Sequence, residues 1–206
     1  MLEKIILGLK TVKRVIYNSL FLRFKDNLKL NLGAGGVRMK NYINVDSLFM
    51  RETDLLCELK NLPLFIKHES VSEIYASHIF EHFSENEVRV ILKLCHKLLK
   101  EGGELRISVP DMDKIVKIYN KNWDHFQKRG NAPWNGLIYG GQSSEYDFHK
   151  TGFNLNWLTL LLEEAGFKKI SEYDPVKFTK SHGISDASLA NEPFKEPISL
   201  NIVTVK

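Results

Sequence analysis

The chain has 206 residues, of which 43% are hydrophobic and 26% are charged. This composition is typical of a soluble globular protein, and the length suffices for one domain with a buried core. The two cysteines give neither a disulfide framework nor a zinc knuckle, and no apolar run approaches the roughly 18 residues that a membrane span requires. We therefore expect a cytoplasmic protein.

The net charge of +4 is unevenly distributed. Residues 1–30 contain seven Lys and Arg against two acids, whereas the rest of the chain holds 22 basic and 23 acidic side chains. A nearly neutral body does not favour a broad phosphate-binding surface, so we expect no nucleic-acid partner.

The basic N-terminal segment has the pattern of an amphipathic helix. Residues 2–24 repeat apolar side chains at helical spacing, with Lys and Arg between them. Such a helix can lie on an anionic membrane or bind a partner, and the alternative is a helix packed over the domain edge with its lysines in solvent. We treat residues 1–27 as an N-terminal helix and 28–206 as one domain, with a peripheral contact to the inner face of the membrane left open.

From Leu28 onward, strand and helix patterns alternate, which predicts an α/β domain with a mostly parallel sheet. A polar loop is expected between the last two strands. Residues 122–153 lack clear periodicity, and a stretch of that length favours a functional insertion. Strands are expected at 28–32, 42–46, 73–77, 104–109, 168–173 and 198–205, and helices at 84–100, after Asp111 or Asp113, and at 154–165.

The first predicted strand runs into a glycine turn, Leu32-Gly33-Ala34-Gly35-Gly36. Glycine lets the backbone turn sharply and a ligand approach closely, and parallel sheets bind ligands beyond the carboxyl ends of their strands. Asp46 ends the second predicted strand, where a carboxylate could bind two ribose hydroxyls. It follows Gly33 by 13 residues, fewer than the roughly 20 of a dinucleotide unit, so any intervening helix must be very short or absent.

Five segments occur in an informative order: Asn31-Leu-Gly-Ala-Gly-Gly, Tyr42-Ile-Asn-Val-Asp46, Glu58-Leu-Lys-Asn-Leu-Pro63, Ser77-His-Ile-Phe-Glu-His82 and Gly102-Gly-Glu-Leu-Arg-Ile-Ser-Val-Pro110. Together they resemble the class I S-adenosylmethionine-dependent methyltransferases. They are most similar to a small methyltransferase-11-like group found among surface-glycan biosynthesis proteins. The resemblance covers about residues 28–206. It implies a Rossmann-like fold and methyl transfer from S-adenosylmethionine to a small-molecule or glycan acceptor, at oxygen.

The resemblance also implies which residues contact the cofactor. The glycine turn would pass beneath the methionine part, and two acids would bind the ribose and the adenine. The implied contacts are Gly33, Ala34 and Gly35 for the methionine part, Asp46 for the ribose, Glu58 and Leu59 for the adenine, and Ser77 and His78 for the methyl-donor end.

Some of these residues have a simpler interpretation, and two depart from the family pattern. Asp46 could merely cap a strand–loop junction, and Glu58 could be a solvated helix residue. Asn31 stands where an acid often precedes the turn, and Val37 stands where a third glycine is common. These departures predict an atypical loop.

Methyl transfer to a hydroxyl requires removal of a proton, and histidine titrates near neutrality. The candidate bases are His78, His82 and His149. Glu81 could orient one of them, or it could cap its own helix. His149 belongs to the insertion, which we interpret as an acceptor-binding lid, although its aromatic residues could simply close the core; the lid residues are Trp134, Tyr139, Gly140, Gly141, Gln142, Tyr146, Asp147 and His149.

The segment His78-Ile-Phe-Glu81-His82 also spells H-x-x-E-H, a zinc-hydrolase pattern when it lies on a helix. Here it follows directly on a predicted strand, so we expect no metal site and keep the hydrolase as a remote alternative. Two further alternatives stay open, a nucleic-acid methyltransferase of the same fold and a non-catalytic cofactor-binding relative.

Overall fold

A computed structural model describes residues 2–129, 132–191 and 194–206. Its helices and strands alternate along most of the chain. In chain order they are α1 (Leu2–Phe21), β1 (Leu28–Leu32), β2 (Ile43–Asp46), β3 (Leu55–Leu56), α2 (Leu62–Phe65), β4 (Val71–Ser77), α3 (Glu85–Leu98), β5 (Leu99–Pro110), α4 (Met112–Lys121), α5 (Trp123–Arg129), α6 (Ala132–Tyr139), α7 (Leu155–Glu164), β6 (Lys168–Glu172), α8 (Pro175–His182) and β7 (Ser199–Val205).

The strands form one seven-stranded sheet in the order β3-β2-β1-β4-β5-β7-β6. The first five run parallel, and β7 is antiparallel to both of its neighbours, β5 and β6. The strand order reverses between β1 and β4, which is where ligands bind in doubly wound sheets. The predicted mixed α/β fold with a mostly parallel sheet and an N-terminal helix is confirmed.

The central strands are hydrophobic because helices and loops cover both faces of the sheet. In β1, the side chains of Leu30 and Leu32 are fully buried, and Ile74 and Ala76 of the neighbouring β4 are equally buried. Helices α3 and α7 add their apolar faces to the same core. The rigid centre of the sheet therefore fixes the loops that follow β1, β2 and β4.

Several elements differ from the expectations. The two-residue strand β3 is too short to give a periodic signal, and α8 occupies the region that was expected to be a polar loop. The insertion at 122–153 contains the helices α5 and α6, which its mixed composition conceals. The helix α8 begins with the side chain of Asp174, which accepts hydrogen bonds from two backbone N–H groups, and it ends at the left-handed Gly183.

Helix α1 packs on the edge of the sheet at β3 through its polar face. Thr11 and Asn18 are buried against the body, and the guanidinium of Arg14 forms an ion pair with buried Asp54 at 2.6 Å. Several of its described apolar side chains face outward, and Leu9, Ile16 and Leu20 are each more than half exposed. The helix thus covers the domain edge, as one interpretation of the sequence expected, but with the opposite face. No helix among the described residues is long and apolar enough to cross a bilayer.

Candidate functional site

The glycine turn lies at the carboxyl end of β1, between β1 and β2. Residues 33–42, all of them described, form no helix, as the short spacing to Asp46 predicted. Gly33 and Gly35 have positive φ angles of 62° and 52°, a left-handed conformation that favours glycine. A Cβ atom built on Gly35 or Gly36 would meet no neighbouring atom of the described chain within 4 Å. The turn therefore presents open backbone to the space above the sheet.

Asp46, at the end of β2, faces this turn. Its Oδ2 accepts a hydrogen bond from the backbone N–H of Gly35 at 2.7 Å, and its Oδ1 accepts one from Leu48 at 2.8 Å. These two bonds fix the carboxylate, and each oxygen retains a lone pair for a further donor. The arrangement suits the pair of hydroxyls on a ribose.

A buried polar network supports the turn from below. The amide of Asn31 donates to Asn44 Oδ1 at 3.0 Å and to the carbonyl of Val37 at 3.2 Å. Asn44 in turn donates to Asp54 Oδ2 at 2.7 Å, and Asp54 pairs with Arg14 on α1. Asn31, which departs from the family pattern, therefore holds the loop in shape through its side-chain amide.

The two predicted adenine contacts follow β3. The carboxylate of Glu58 is about half exposed and pairs with Lys60 at 2.6 Å. Leu59 is 6% exposed and belongs to the hydrophobic core. The backbone N–H of the preceding residue, Cys57, donates to the carbonyl of Asp46, which places this segment beside the ribose-binding candidate. Contact of Glu58 and Leu59 with an adenine stays a prediction.

Ser77 and His78 lie at the carboxyl end of β4, next to the turn. The hydroxyl of Ser77 is buried and has no hydrogen-bond partner among the described residues. His78 has a φ angle of 51°, a left-handed conformation that is uncommon for histidine, and its Nε2 lies 2.9 Å from the hydroxyl of Ser199. A side chain at Gly33 would overlap Ile79, so the turn and the loop after β4 are in close approach.

The four predicted catalytic residues come together in this loop and the lid. Nδ1 of His78 lies 3.0 Å from Oε1 of Glu81, and the rings of His82 and His149 meet edge to face with centroids 4.9 Å apart. Glu81, His82 and His149 each present a ligand atom within 4.8 Å of the other two. The segment 78–82 contains only a three-residue 3-10 helix, Phe80–His82, so it lacks the long helix of a zinc hydrolase.

A backbone contact assigns the protonated nitrogen of His82, and the surroundings of His149 shift its pKa. Nδ1 of His82 lies 3.2 Å from the carbonyl oxygen of Phe148, which can only accept, so Nδ1 carries a proton and Nε2 is the nitrogen that has the lone pair in the neutral ring. Burial lowers the pKa of His149, and the charge of His82 lowers it further although Glu81 opposes both. The net effect favours the neutral form of the His149 imidazole.

The end of the insertion is fastened to this loop by its backbone. Lys150 and Thr151 both donate their N–H groups to the carbonyl of Glu81, at 2.7 and 3.2 Å, and the hydroxyl of Thr151 donates to Phe83. Exposed aromatic rings of the expected lid stand on the solvent side, at Tyr139 and Tyr146. The side chain of Trp134, another expected lid residue, lies outside the described part of the structure.

Several residues that shape the site were not predicted from the sequence. Ser199 reaches His78 from β7, and Asn44 and Asp54 build the network under the turn. Ser199 comes near only because β7 pairs antiparallel beside β5, and no local signal encodes that pairing. The sequence shows an acid, Asp54, soon after the second strand, but it does not show that this side chain is buried.

Comparison with solved structures identifies the architecture. A methyltransferase of Archaeoglobus fulgidus that depends on S-adenosylmethionine is similar, with a TM-score of 0.53 and 14% identity over 97% of this chain and 94% of that one. A second similar structure is a methyltransferase of Thermotoga maritima with the same dependence, described as a possible histamine N-methyltransferase. Its TM-score is 0.52, with 16% identity over 95% of this chain and 89% of that one. The chain has the class I methyltransferase fold.

A third structure shares this methyltransferase fold without sharing the description. A Bordetella parapertussis protein, described as a possible exported protein, gives a TM-score of 0.55 and 11% identity over 96% of this chain and 67% of that one. No protein-family model and no curated protein sequence matches the chain. At these identities the similarity establishes the fold, so the function must be argued from the site.

Proposed function

We propose that the chain binds S-adenosylmethionine and transfers its methyl group to an oxygen of a small-molecule or glycan acceptor. The observation that carries this proposal is the fixed carboxylate of Asp46 beside an open glycine turn, with the histidine cluster on the neighbouring strand end. A nucleoside site and a set of bases at one sheet edge supply what such a transfer requires.

The residues present fit the cofactor. Asp46 offers lone pairs to two ribose hydroxyls, and the bare backbone at Gly35 leaves room for the methionine part. The buried hydroxyl of Ser77, without a partner among the described residues, offers a donor and acceptor at the methyl-donor end. When bound, the cofactor supplies an electrophilic methyl group on a sulfonium sulfur.

The chain's own contribution would be to align the acceptor and take its proton. Nε2 of His78 lies 2.9 Å from the hydroxyl of Ser199, and Nδ1 faces the carboxylate of Glu81 without a hydrogen bond, so His78 acts as a positioning residue. In the neutral form, His82 offers Nε2 and His149 offers one ring nitrogen to accept the proton of an acceptor hydroxyl. The lid would hold the acceptor against this pair and exclude water.

Calorimetry with S-adenosylmethionine tests the cofactor. We expect binding by the wild type and at least about tenfold weaker binding by Asp46→Asn, because hydrogen bonds to a charged group contribute about 1.5–3 kcal/mol. Asp124→Asn, an exposed acid on α5, serves as the matched control and should bind as the wild type does. Absence of binding by the wild type would refute the proposal.

Methyl-transfer assays test the acceptor class. Lipid-linked sugars and small hydroxyl compounds are the expected acceptors, and His149→Ala should lose activity while retaining cofactor binding. Transfer to RNA or DNA alone would favour the nucleic-acid alternative. Binding without transfer to any acceptor class would favour the non-catalytic relative.

We further propose that the outward face of α1 lies on an anionic membrane surface. The exposed apolar side chains of this face alternate with basic ones, and the sequence has no acid between residues 8 and 25. Each Lys or Arg near an anionic bilayer contributes about 1 kcal/mol, and the apolar side chains add their burial. The face comprises Leu9, Val12, Ile16, Tyr17, Leu20 and Phe21, continues into Phe24 of the 3-10 turn that follows α1, and is flanked by Lys10, Lys13, Arg23 and Lys25.

Flotation with vesicles tests this contact. The protein should bind vesicles of phosphatidylcholine mixed with phosphatidylglycerol, but not phosphatidylcholine alone. Replacement of Leu9, Ile16 and Leu20 by Ser should abolish binding, whereas Val116→Ser, an exposed apolar change on α4, should not. A dimer in light scattering that disappears in the triple variant, without vesicle binding by the wild type, would instead assign this face to a second copy of the chain.

A further inference from the structure

Glu81 is the least satisfied charged side chain of the site. It is 1% exposed, and neither of its carboxylate oxygens accepts a hydrogen bond from any described residue. Nδ1 of His78 lies 3.0 Å from Oε1 but is not aligned for a hydrogen bond. A buried carboxylate without compensation is costly, so this position calls for a cation between Glu81 and its neighbours.

The two other members of the cluster lie against each other. His82 donates Nδ1–H to the carbonyl of Phe148 at 3.2 Å, and its ring meets that of His149 edge to face. Histidines that bind metals usually donate their second ring nitrogen to a carbonyl or carboxylate in this way, which fixes the ring and directs the free nitrogen at the ion.

The spacing of the three groups suits one ion. Their ligand atoms all lie within 4.8 Å of one another. Ligands at about 2.1 Å from a tetrahedral ion are about 3.4 Å apart, so side-chain rotations that close the cluster by about 1 Å would complete it. The backbone of the cluster is already fixed, because Lys150 and Thr151 bond to the carbonyl of Glu81.

We propose that Glu81, His82 and His149 bind a divalent transition-metal cation. Two imidazoles and one carboxylate form a donor set suited to Zn²⁺ and its first-row neighbours rather than to Mg²⁺ or Ca²⁺, which prefer oxygen ligands. Three protein ligands leave a coordination position open, as in catalytic sites. This departs from the sequence-based expectation of no metal, because the burial of Glu81 and the approach of His149 are visible only in three dimensions.

The role of this ion depends on the proposed function. The cluster adjoins the predicted methyl-donor end, so the open position would bind the acceptor oxygen and make its hydroxyl more acidic. Because the two imidazoles would be occupied as ligands, the acidified hydroxyl would lose its proton to a water molecule, and the resulting oxygen would attack the methyl group. The site implies an acceptor with an oxygen that can bind a metal, such as a sugar hydroxyl.

Calorimetry of the untagged protein with Zn²⁺ alone tests the binding. After treatment with a chelator, the wild type should bind a single Zn²⁺. Glu81→Gln and His149→Gln should bind it at least about 100-fold more weakly, since each loses a direct ligand and loss of a mere supporting residue already costs 10–100-fold. His68→Gln, an exposed histidine outside the cluster, should bind as the wild type does.

Two further measurements keep the result decisive. Circular dichroism verifies that each variant is folded, and Co²⁺ should give visible absorption bands of a low-coordinate nitrogen and oxygen site in the wild type only. Equal Zn²⁺ affinity in the wild type and both cluster variants, or Co²⁺ bands unchanged in Glu81→Gln, would overturn the metal site. Because these assays use the metal alone, they can succeed even where the methyltransferase proposal fails.

Discussion

Two buried carboxylates lie on either side of the glycine turn, and their surroundings differ sharply. Asp54, 3% exposed, pairs with Arg14 and Arg38 and accepts two hydrogen bonds from Asn44. Glu81, 1% exposed, accepts no hydrogen bond from the described residues at either oxygen. The ribose side of the site is thus complete as the chain folds, whereas the histidine side is not.

This difference separates a scaffold from a reactive centre. Buried charges are retained where they are paired, and an unpaired one persists only where the surrounding structure enforces it. The network of Asp54 supports the turn that would hold the cofactor. The cluster of Glu81 keeps its charge available to a ligand, at the expense of stability.

The largest effect is expected at Asp54. Asp54→Ala leaves two arginines and the amide of Asn44 without their acceptor, so the free energy of unfolding should fall by about 3–5 kcal/mol. Urea unfolding at pH 7 measures the change. Glu101→Ala, an exposed acid, should stay within about 0.5 kcal/mol of the wild type. A loss at Asp54 no larger than this control would show that the network is not a scaffold.

The lid gives the next largest effect. Gly140 has a φ angle of 80°, and a Cβ atom there would overlap the backbone of Asp147, whereas Gly183 has a φ of 63° and open space. Gly183→Ala should cost the strain alone, about 1–2 kcal/mol, and Gly140→Ala about 2–4 kcal/mol because the lid must also shift. Thermal and urea unfolding measure both. Equal losses would mean that the turn at Gly140 is loose and the histidine side poorly fixed.

A third buried acid, Glu73, shows how ion pairing affects the pH dependence of stability. Burial would raise the pKa of Glu73, but hydrogen bonds from Lys29 and Tyr42 and the charge of Arg106 hold it below its ordinary value. The unfolded chain therefore binds more protons in acid, so this stabilisation is complete above the ordinary carboxyl pKa and is lost as the pH falls through the lower folded value.

Glu73→Gln tests that account. At pH 7 it should lower the free energy of unfolding by about 1–2 kcal/mol, because charge-assisted hydrogen bonds are lost. Urea unfolding at a series of pH values from neutral to acidic should show the gap between variant and wild type closing in acid. A gap that is constant with pH would assign the loss to packing rather than to the charge.

Sequence patterns predicted the scaffold well where its signals are local. The periodicity of β1, β4 and α3 was sufficient to predict the sheet. The short span from Gly33 to Asp46 was sufficient to predict that no long helix connects β1 to β2. The same patterns also named His78, Glu81, His82 and His149, which the structure brings together. Their roles stay predictions.

What the sequence did not reveal depends on long-range packing. The periodicity of α1 indicates an apolar face, but it does not show which face of the helix packs on the domain. The ion pair between Arg14 and Asp54 holds the polar face against the domain. The approach of Ser199 to His78 follows from an antiparallel pairing across the sheet. The lack of partners at Glu81 has no sequence signal, because burial and hydrogen-bond geometry are properties of the folded chain.

The smallest expected change in the free energy of unfolding is that of Glu81→Gln. It is also the most discriminating, because its sign differs from that expected for Glu73→Gln. In the presence of a chelator, Glu81→Gln removes an uncompensated buried charge, so the free energy of unfolding should be unchanged or rise by about 1 kcal/mol. With Zn²⁺ at 100 times its dissociation constant, the wild type should gain about 2.7 kcal/mol and the variant almost nothing. If Glu81→Gln instead destabilised the chelated protein as much as Glu73→Gln does, a protonated His78 would already satisfy the carboxylate. The carboxylates of Asp54 and Glu81 would then both be compensated by partners within the chain.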